Sequence, residues 1–156
     1  MTEDSIITDE MRQALNVEGE LTVYEIEKEP IRRWAEAIGD PNPLYHDEEY
    51  ARKCGFDSLV APPGFMGQYA FAVKRGRPAP MPQPKRSFAT RLNGGSEYEF
   101  LKPIQAGDVI TATSKVVELF ERKGRLGPML FTVRETTYKN QKGEIVLKTR
   151  GTGISY

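Results

Sequence analysis

The chain carries a single histidine, His46, in the stretch GDPNPLYHD over residues 39–47, six positions after Asp40. An imidazole beside a carboxylate forms an acid–base pair that can orient one water and move its proton near neutral pH. Pro41 and Pro43 fix two backbone φ angles, so the loop holds few conformations. A site that must keep two side chains within about half an ångström of a working geometry needs such stiffness. The same residues are also ordinary turn chemistry: Asp-Pro-Asn-Pro favours a bend, and Asp47 suits a helix N-cap.

A second candidate is Gly64, after Pro62 and Pro63. A glycine at the start of a helix lets a ligand approach the backbone, and the free N–H groups there face developing negative charge. Donors of this kind contribute about 3 kcal/mol in a transition state. A plain turn glycine accounts for Gly64 equally well. Further on, prolines alternate at positions 78, 80, 82 and 84 between Lys74, Arg75, Arg77, Lys85 and Arg86. They favour an extended path. The segment reads as a stiff solvated connector, or as a basic rim for the phosphates of a nucleotide-bearing ligand such as coenzyme A.

These residues need elements to hold them. TDEMRQAL (8–15) reads as a short helix and LTVYEIE (21–27) as a weak strand. EPIRRWAEAIG (29–39) is a clearer helix, with Pro30 near its start, Gly39 at its stop, and an apolar stripe of Ile31, Trp34, Ala35 and Ile38. Asp47 caps a second short helix over EEYARKC, ending at Gly55. From Gly64 to about residue 74 the side chains are apolar or small on nearly every side, which predicts an enclosed helix. Four strands follow, over 87–100, 109–122, 128–140 and 144–156, separated by the turn compositions QAGD, KGRLG and QKG. Short links between long strands predict an antiparallel meander. The expected class is α+β: a curled antiparallel sheet wrapped around one long buried helix, the shape called a hot dog, in a single domain over 1–156.

Composition narrows the rest. Lys+Arg and Asp+Glu both number 22 among 156 residues, so no general affinity for nucleic acid or an anionic membrane is expected. No apolar run approaches the roughly 20 residues of a membrane span. The acidic N-terminus argues against a secretory signal. The lone Cys54 excludes an intrachain disulfide and fits a reducing cytoplasm. One His and one Cys cannot form a zinc cluster. Neither a metal nor a redox cofactor is expected.

GDPNPLYHDEEYARKCGF, followed by VAPPGF and GSEYEFLKPIQAGDVI (95–110), resembles MaoC-like hydratases and dehydratases, hot-dog enzymes acting on acyl thioesters. It is similar in particular to their N-terminal-domain type, the FAS1-like dehydratases. The family motif has the form Asp-x-Asn-Pro-(aliphatic)-His, five residues from Asp to His. Asp40 and Asn42 match it directly; the His position holds Tyr45, and His46 comes one residue later. The resemblance implies reversible water addition to a trans-2-enoyl thioester of coenzyme A or a carrier protein, within fatty acid metabolism. Asp40 and His46 would clamp the water, and Gly64, Asn42 and Tyr45 would bind substrate. In heteromeric relatives this type often lacks the dyad and shapes the acyl tunnel for a partner. A non-catalytic thioester-binding subunit is therefore the alternative, and a hot-dog thioesterase using Asp40 or Glu48 a third. A dimer, identical or mixed, is expected because a lone hot-dog unit leaves a sheet edge open.

Overall fold

Alternation along the C-terminal strands divides their side chains between an inner and an outer face, and the inner face gathers the core. The computed structural model describes residues 5–125 and 127–156. Its elements in chain order are α1 (Asp9–Gln13), β1 (Thr22–Glu25), α2 (Lys28–Ala37), a 3-10 turn (Pro43–Tyr45), α3 (Glu48–Lys53) and α4 (Phe65–Gln68). The strands β2 (Ala72–Lys74), β3 (Arg91–Phe100), β4 (Val109–Gly124), β5 (Gly127–Lys139) and β6 (Ile145–Ser155) complete it. They join β1 in one six-stranded antiparallel sheet of order β2-β1-β4-β5-β6-β3.

Directly opposed residues share a face. Ala112, Tyr138, Leu147 and Phe100 stand abreast across β4, β5, β6 and β3, and the first three are buried. Farther along, the row runs Val116, Arg134, Gly151 and Ser96. A bulge between Val116 and Glu118 adds one residue to β4. Val116 and Leu119 can then both face inward, three positions apart.

The four long strands and the α+β class are as expected from the sequence, and the curled sheet over a layer of short helices is the hot-dog fold. The meander holds only for β4, β5 and β6. β3 lies beyond β6, at the far edge, because its exit is tied to the other layer. Ala61 N–H donates to the Ile104 carbonyl and Ala106 N–H to that of Leu59, each at 2.8 Å.

The long enclosed helix expected from residue 64 is a correction. α4 has four residues, and the chain then extends into β2, which pairs with β1. Gly64 and Gly67 weaken helix propagation, β-branched Val73 favours a strand, and β1 offers an open edge. The ring of Tyr98 also fills the space where a side chain at position 67 would stand. The helix that packs on the core is α2, by one face only: Ile31 and Ala35 are fully buried and Trp34 packs beside them, while Lys28, Glu29, Arg33, Glu36 and the C-cap Ile38 are exposed.

The proline segment is no free connector. Glu20 N–H donates to the Arg77 carbonyl at 2.8 Å, and Lys85 N–H to that of Ile6 at 3.0 Å. Between these anchors it crosses the sheet as a strap, with Met81 packed on a second apolar cluster of Ile6, Ile7, Met11, Val116, Leu119 and Leu130. Among the described residues, no helix is long and apolar enough to cross a membrane.

Candidate functional site

The loop after α2 is built from two side-chain-capped turns in succession. Gly39 takes a positive φ of 69° and turns the chain out of the helix. The Asp40 Oδ1 atom accepts from Asn42 N–H at 3.0 Å, and the Asn42 Oδ1 atom accepts from Leu44 N–H at 3.1 Å. These bonds launch the 3-10 turn, after which Asp47 caps α3 by accepting from Tyr50 N–H at 3.0 Å. Local chemistry thus accounts for the rigid corner that the prolines predict.

The two candidate catalytic side chains do not meet. The imidazole Nε2 of His46 lies 2.9 Å from the main-chain oxygen of Asp40. A carbonyl can only accept, so Nε2 carries the hydrogen and only Nδ1 keeps a lone pair. The Asp40 carboxylate is engaged by the Asn42 amide, and among the described residues no hydrogen bond or ion pair joins it to the imidazole.

Tyr45 turns the other way. It is 9% exposed and joins the main core cluster with Leu59, Phe65, Met66 and Ile104. It also lines a cavity of about 350 Å³ with Leu44, Val60, Pro62, Met66 and Phe100. Burial raises its phenol above the ordinary value of 10.0; the Asp40 charge adds to this and the Asn42 side chain offsets part of it. The hydroxyl therefore stays protonated at neutral pH and is a donor, not a base. Neither Asp40, Asn42 nor His46 lines this cavity.

Gly64 adopts a positive φ of 85° at the start of α4, with Trp34 beside it. Phe65 N–H is already given to the Pro62 carbonyl at 3.1 Å. A single turn also sums few peptide dipoles, so the long-helix terminus expected at Gly64 is not formed. Sequence reasoning missed two contributors. Phe100, Leu101, Lys102, Pro103 and Ile104 form the far wall of the Tyr45 cavity, which only the position of β3 reveals. The buried Trp34 Nε1–H has no acceptor among the described residues, although the indole stacks on Tyr69 at 5.6 Å. Among the described residues, no group of three or more His, Cys, Asp or Glu could hold a metal ion.

A model of the FAS1-like dehydratase domain region matches residues 16–149. The chain is 37% identical over 93 residues to a UPF0336 protein of Streptomyces avermitilis, covering 60% of this chain and 61% of that one. It is 36% identical over 135 residues to a probable enoyl-CoA hydratase alpha subunit of Thermomonospora curvata, covering 77% of this chain and 41% of that protein. The match thus spans about three fifths of the first relative and less than half of the second. Among solved structures, the ChsH1–ChsH2 complex of Mycobacterium tuberculosis superposes with a TM-score of 0.76 at 18% identity, covering 95% of this chain and 94% of that one. A MaoC-like dehydratase of Rhodospirillum rubrum gives 0.61 at 19% identity, covering 88% and 91%. At these identities the likeness is one of fold.

Proposed function

The chain belongs to the FAS1-like dehydratase domain family, and from that premise we propose that it is the thioester-holding subunit of an acyl hydratase whose working acid–base groups come from a second hot-dog chain. The reaction is reversible addition of water to a trans-2-enoyl thioester of coenzyme A or a carrier protein, giving the 3-hydroxyacyl product. It requires a base for the water attacking Cβ, a proton for Cα, and donors for the thioester oxygen. This chain offers an apolar cavity with a protonated phenol at its edge. Among the described residues it offers no paired carboxylate and imidazole.

The observation that carries this reading is the His46 Nε2 hydrogen bond to the Asp40 carbonyl, which commits the imidazole to the loop while Tyr45 takes the inward position. The open edge of the sheet supports a two-chain assembly. β3 is exposed along all ten residues and carries Leu92, Tyr98 and Phe100. A long unpaired edge with apolar side chains is a place for another chain to pair. The ChsH1–ChsH2 neighbour is, by its name, a complex of two different components.

A second reading, a homodimer that hydrates with its own Asp40 and His46, draws on the free Nδ1 lone pair in the same loop. Incubating the purified chain with crotonyl-CoA and following loss of the enoyl absorbance decides between them. The subunit reading expects binding without turnover. Turnover lost in both Asp40→Ala and His46→Ala would overturn it in favour of the homodimeric enzyme, and release of free thiol would establish a thioesterase.

A further inference from the structure

A second cavity lies away from the Tyr45 loop, at the other end of the sheet, beneath the proline strap. It encloses about 880 Å³. Its floor is the inner face of β5 and β6, and its roof the strap over residues 78–88. One residue is out of place in such a setting. Arg134 stands on the inner face between Val116 and Gly151, half-buried, where alternation otherwise places Leu130, Thr132 and Tyr138. Taking a guanidinium partly out of water costs free energy unless an anion faces it.

No anion of this chain does so among the described residues. The one side-chain partner of Arg134 is the Ser114 hydroxyl, at a long 3.4 Å. Among the described residues no Asp or Glu lines the cavity, whereas Arg86 from the strap and Arg91 from β3 add two more cations. Arg91 shares the inner face, since it opposes Ser155, which opposes Leu130. Met11, Met81, Phe88 and Leu130 give the lining an apolar part, beside the neutral polar side chains of Gln83, Asn93, Thr132 and Thr152. Above Gly151 the space is open, for a side chain built there would meet nothing within 4 Å. Gly151 therefore leaves room directly beside Arg134.

We propose that this cavity binds a carboxylate-terminated aliphatic chain, its acid on Arg134 and its methylenes under Met81 and Phe88. A planar guanidinium suits a carboxylate, which it can meet through two parallel hydrogen bonds. The acid is either a free carboxylic acid or the far end of a dicarboxylic acyl thioester. Only the second source rests on the function proposed above.

Calorimetric titration of the full chain with octanoate, 1-octanol, octanoyl-CoA and suberyl-CoA (the eight-carbon thioester with a second, distal carboxylate) tests it. Octanoate is expected to bind about tenfold more tightly than 1-octanol, and Arg134→Met to remove that difference. Gly151→Leu, which fills the space beside Arg134, is expected to abolish binding of both. Arg91→Gln, on the exposed edge strand and so safe for folding, is expected to weaken octanoate about threefold. A preference for suberyl-CoA over octanoyl-CoA that Arg134→Met removes supports the proposal and assigns the acid to a thioester. Equal affinity for the two thioesters, beside Arg134-dependent octanoate binding, supports it and assigns a free acid. Octanoate bound no better than 1-octanol, or bound equally by wild type, Arg134→Met and Arg91→Gln, would overturn it. If only octanoyl-CoA binds, this inference fails and the proposed function stands. If octanoate binds through Arg134 and neither thioester does, the reverse holds.

Discussion

The Nε2 atom of His46 sits 2.9 Å from the main-chain oxygen of Asp40, while the Asp40 Oδ1 atom receives the Asn42 N–H at 3.0 Å. Imidazole and carboxylate share a loop without sharing a proton, so removing the imidazole should cost stability before it costs ligand binding. His46→Ala is expected to lower the unfolding free energy by about 1 kcal/mol, the net contribution of one such hydrogen bond. Crotonyl-CoA affinity should stay within about twofold, because the ring does not line the Tyr45 cavity. Urea unfolding and calorimetry on the same preparation check both.

Tyr45 occupies the position where the family motif has its histidine, and its side chain lines the cavity. Tyr45→His would place an imidazole there while Asp40 and Asn42 keep their turn. Crotonyl-CoA hydration by this variant is expected to rise about 10²-fold above the wild-type chain, at the low end for a positioned general base. A continuous absorbance assay on both proteins measures it. No gain would show that the cavity lacks more than a base.

Tyr138 provides a titration visible in stability. It is 7% exposed, and burial pushes its phenol up to about 12, with Tyr24 adding to the shift. An unfolded tyrosine titrates near 10. Because the folded value is raised, the stabilisation is fully present below pH 10 and is lost as the pH rises from about 10 to 12. Wild type should therefore lose about 3 kcal/mol more than Tyr138→Phe across that window. Denaturant unfolding of the two proteins between pH 9 and 12 isolates the difference from other titrating groups.

Gly76 lies where the strap leaves β2, and its N–H donates to Thr22 Oγ1 at 3.1 Å. A side chain at this glycine would stand 2.6 Å from the Leu21 carbonyl oxygen, a backbone atom that cannot rotate away. Gly76→Ala is expected to cost about 1–3 kcal/mol, the range for forced overpacking. It should also loosen the strap. Hydrogen exchange at the Glu20 amide, which donates to Arg77, reports on that loosening.

Much of the architecture was legible because its causes are local. The stripe on α2 buries Ile31 and Ala35, the Asp47 cap forms, and the four long strands lie close to their predicted limits. Alternation and capping depend on neighbours along the chain, which a sequence displays directly. The segment after Gly64 was misread because its apolar content fits either a buried helix or an edge strand. The free side of β1 and the ring of Tyr98, both distant in sequence, decided it. The cavity around Arg134 was hidden for a similar reason. Nothing near Arg134 in the chain says that Gly151 and the strap will enclose it.

The Asp40–Asp47 corner divides the same way. Prolines, Asx turns and the cap determined from the sequence alone that the loop is stiff and that it joins two helices. Spacing could not determine where its side chains point. A 3-10 turn has about three residues per turn, so successive side chains diverge by about 120°. Once the core of Leu59, Phe65 and Ile104 drew Tyr45 inward, His46 was carried around to the Asp40 carbonyl. The packing of one aromatic ring, a long-range event, set the direction of the chain's only imidazole.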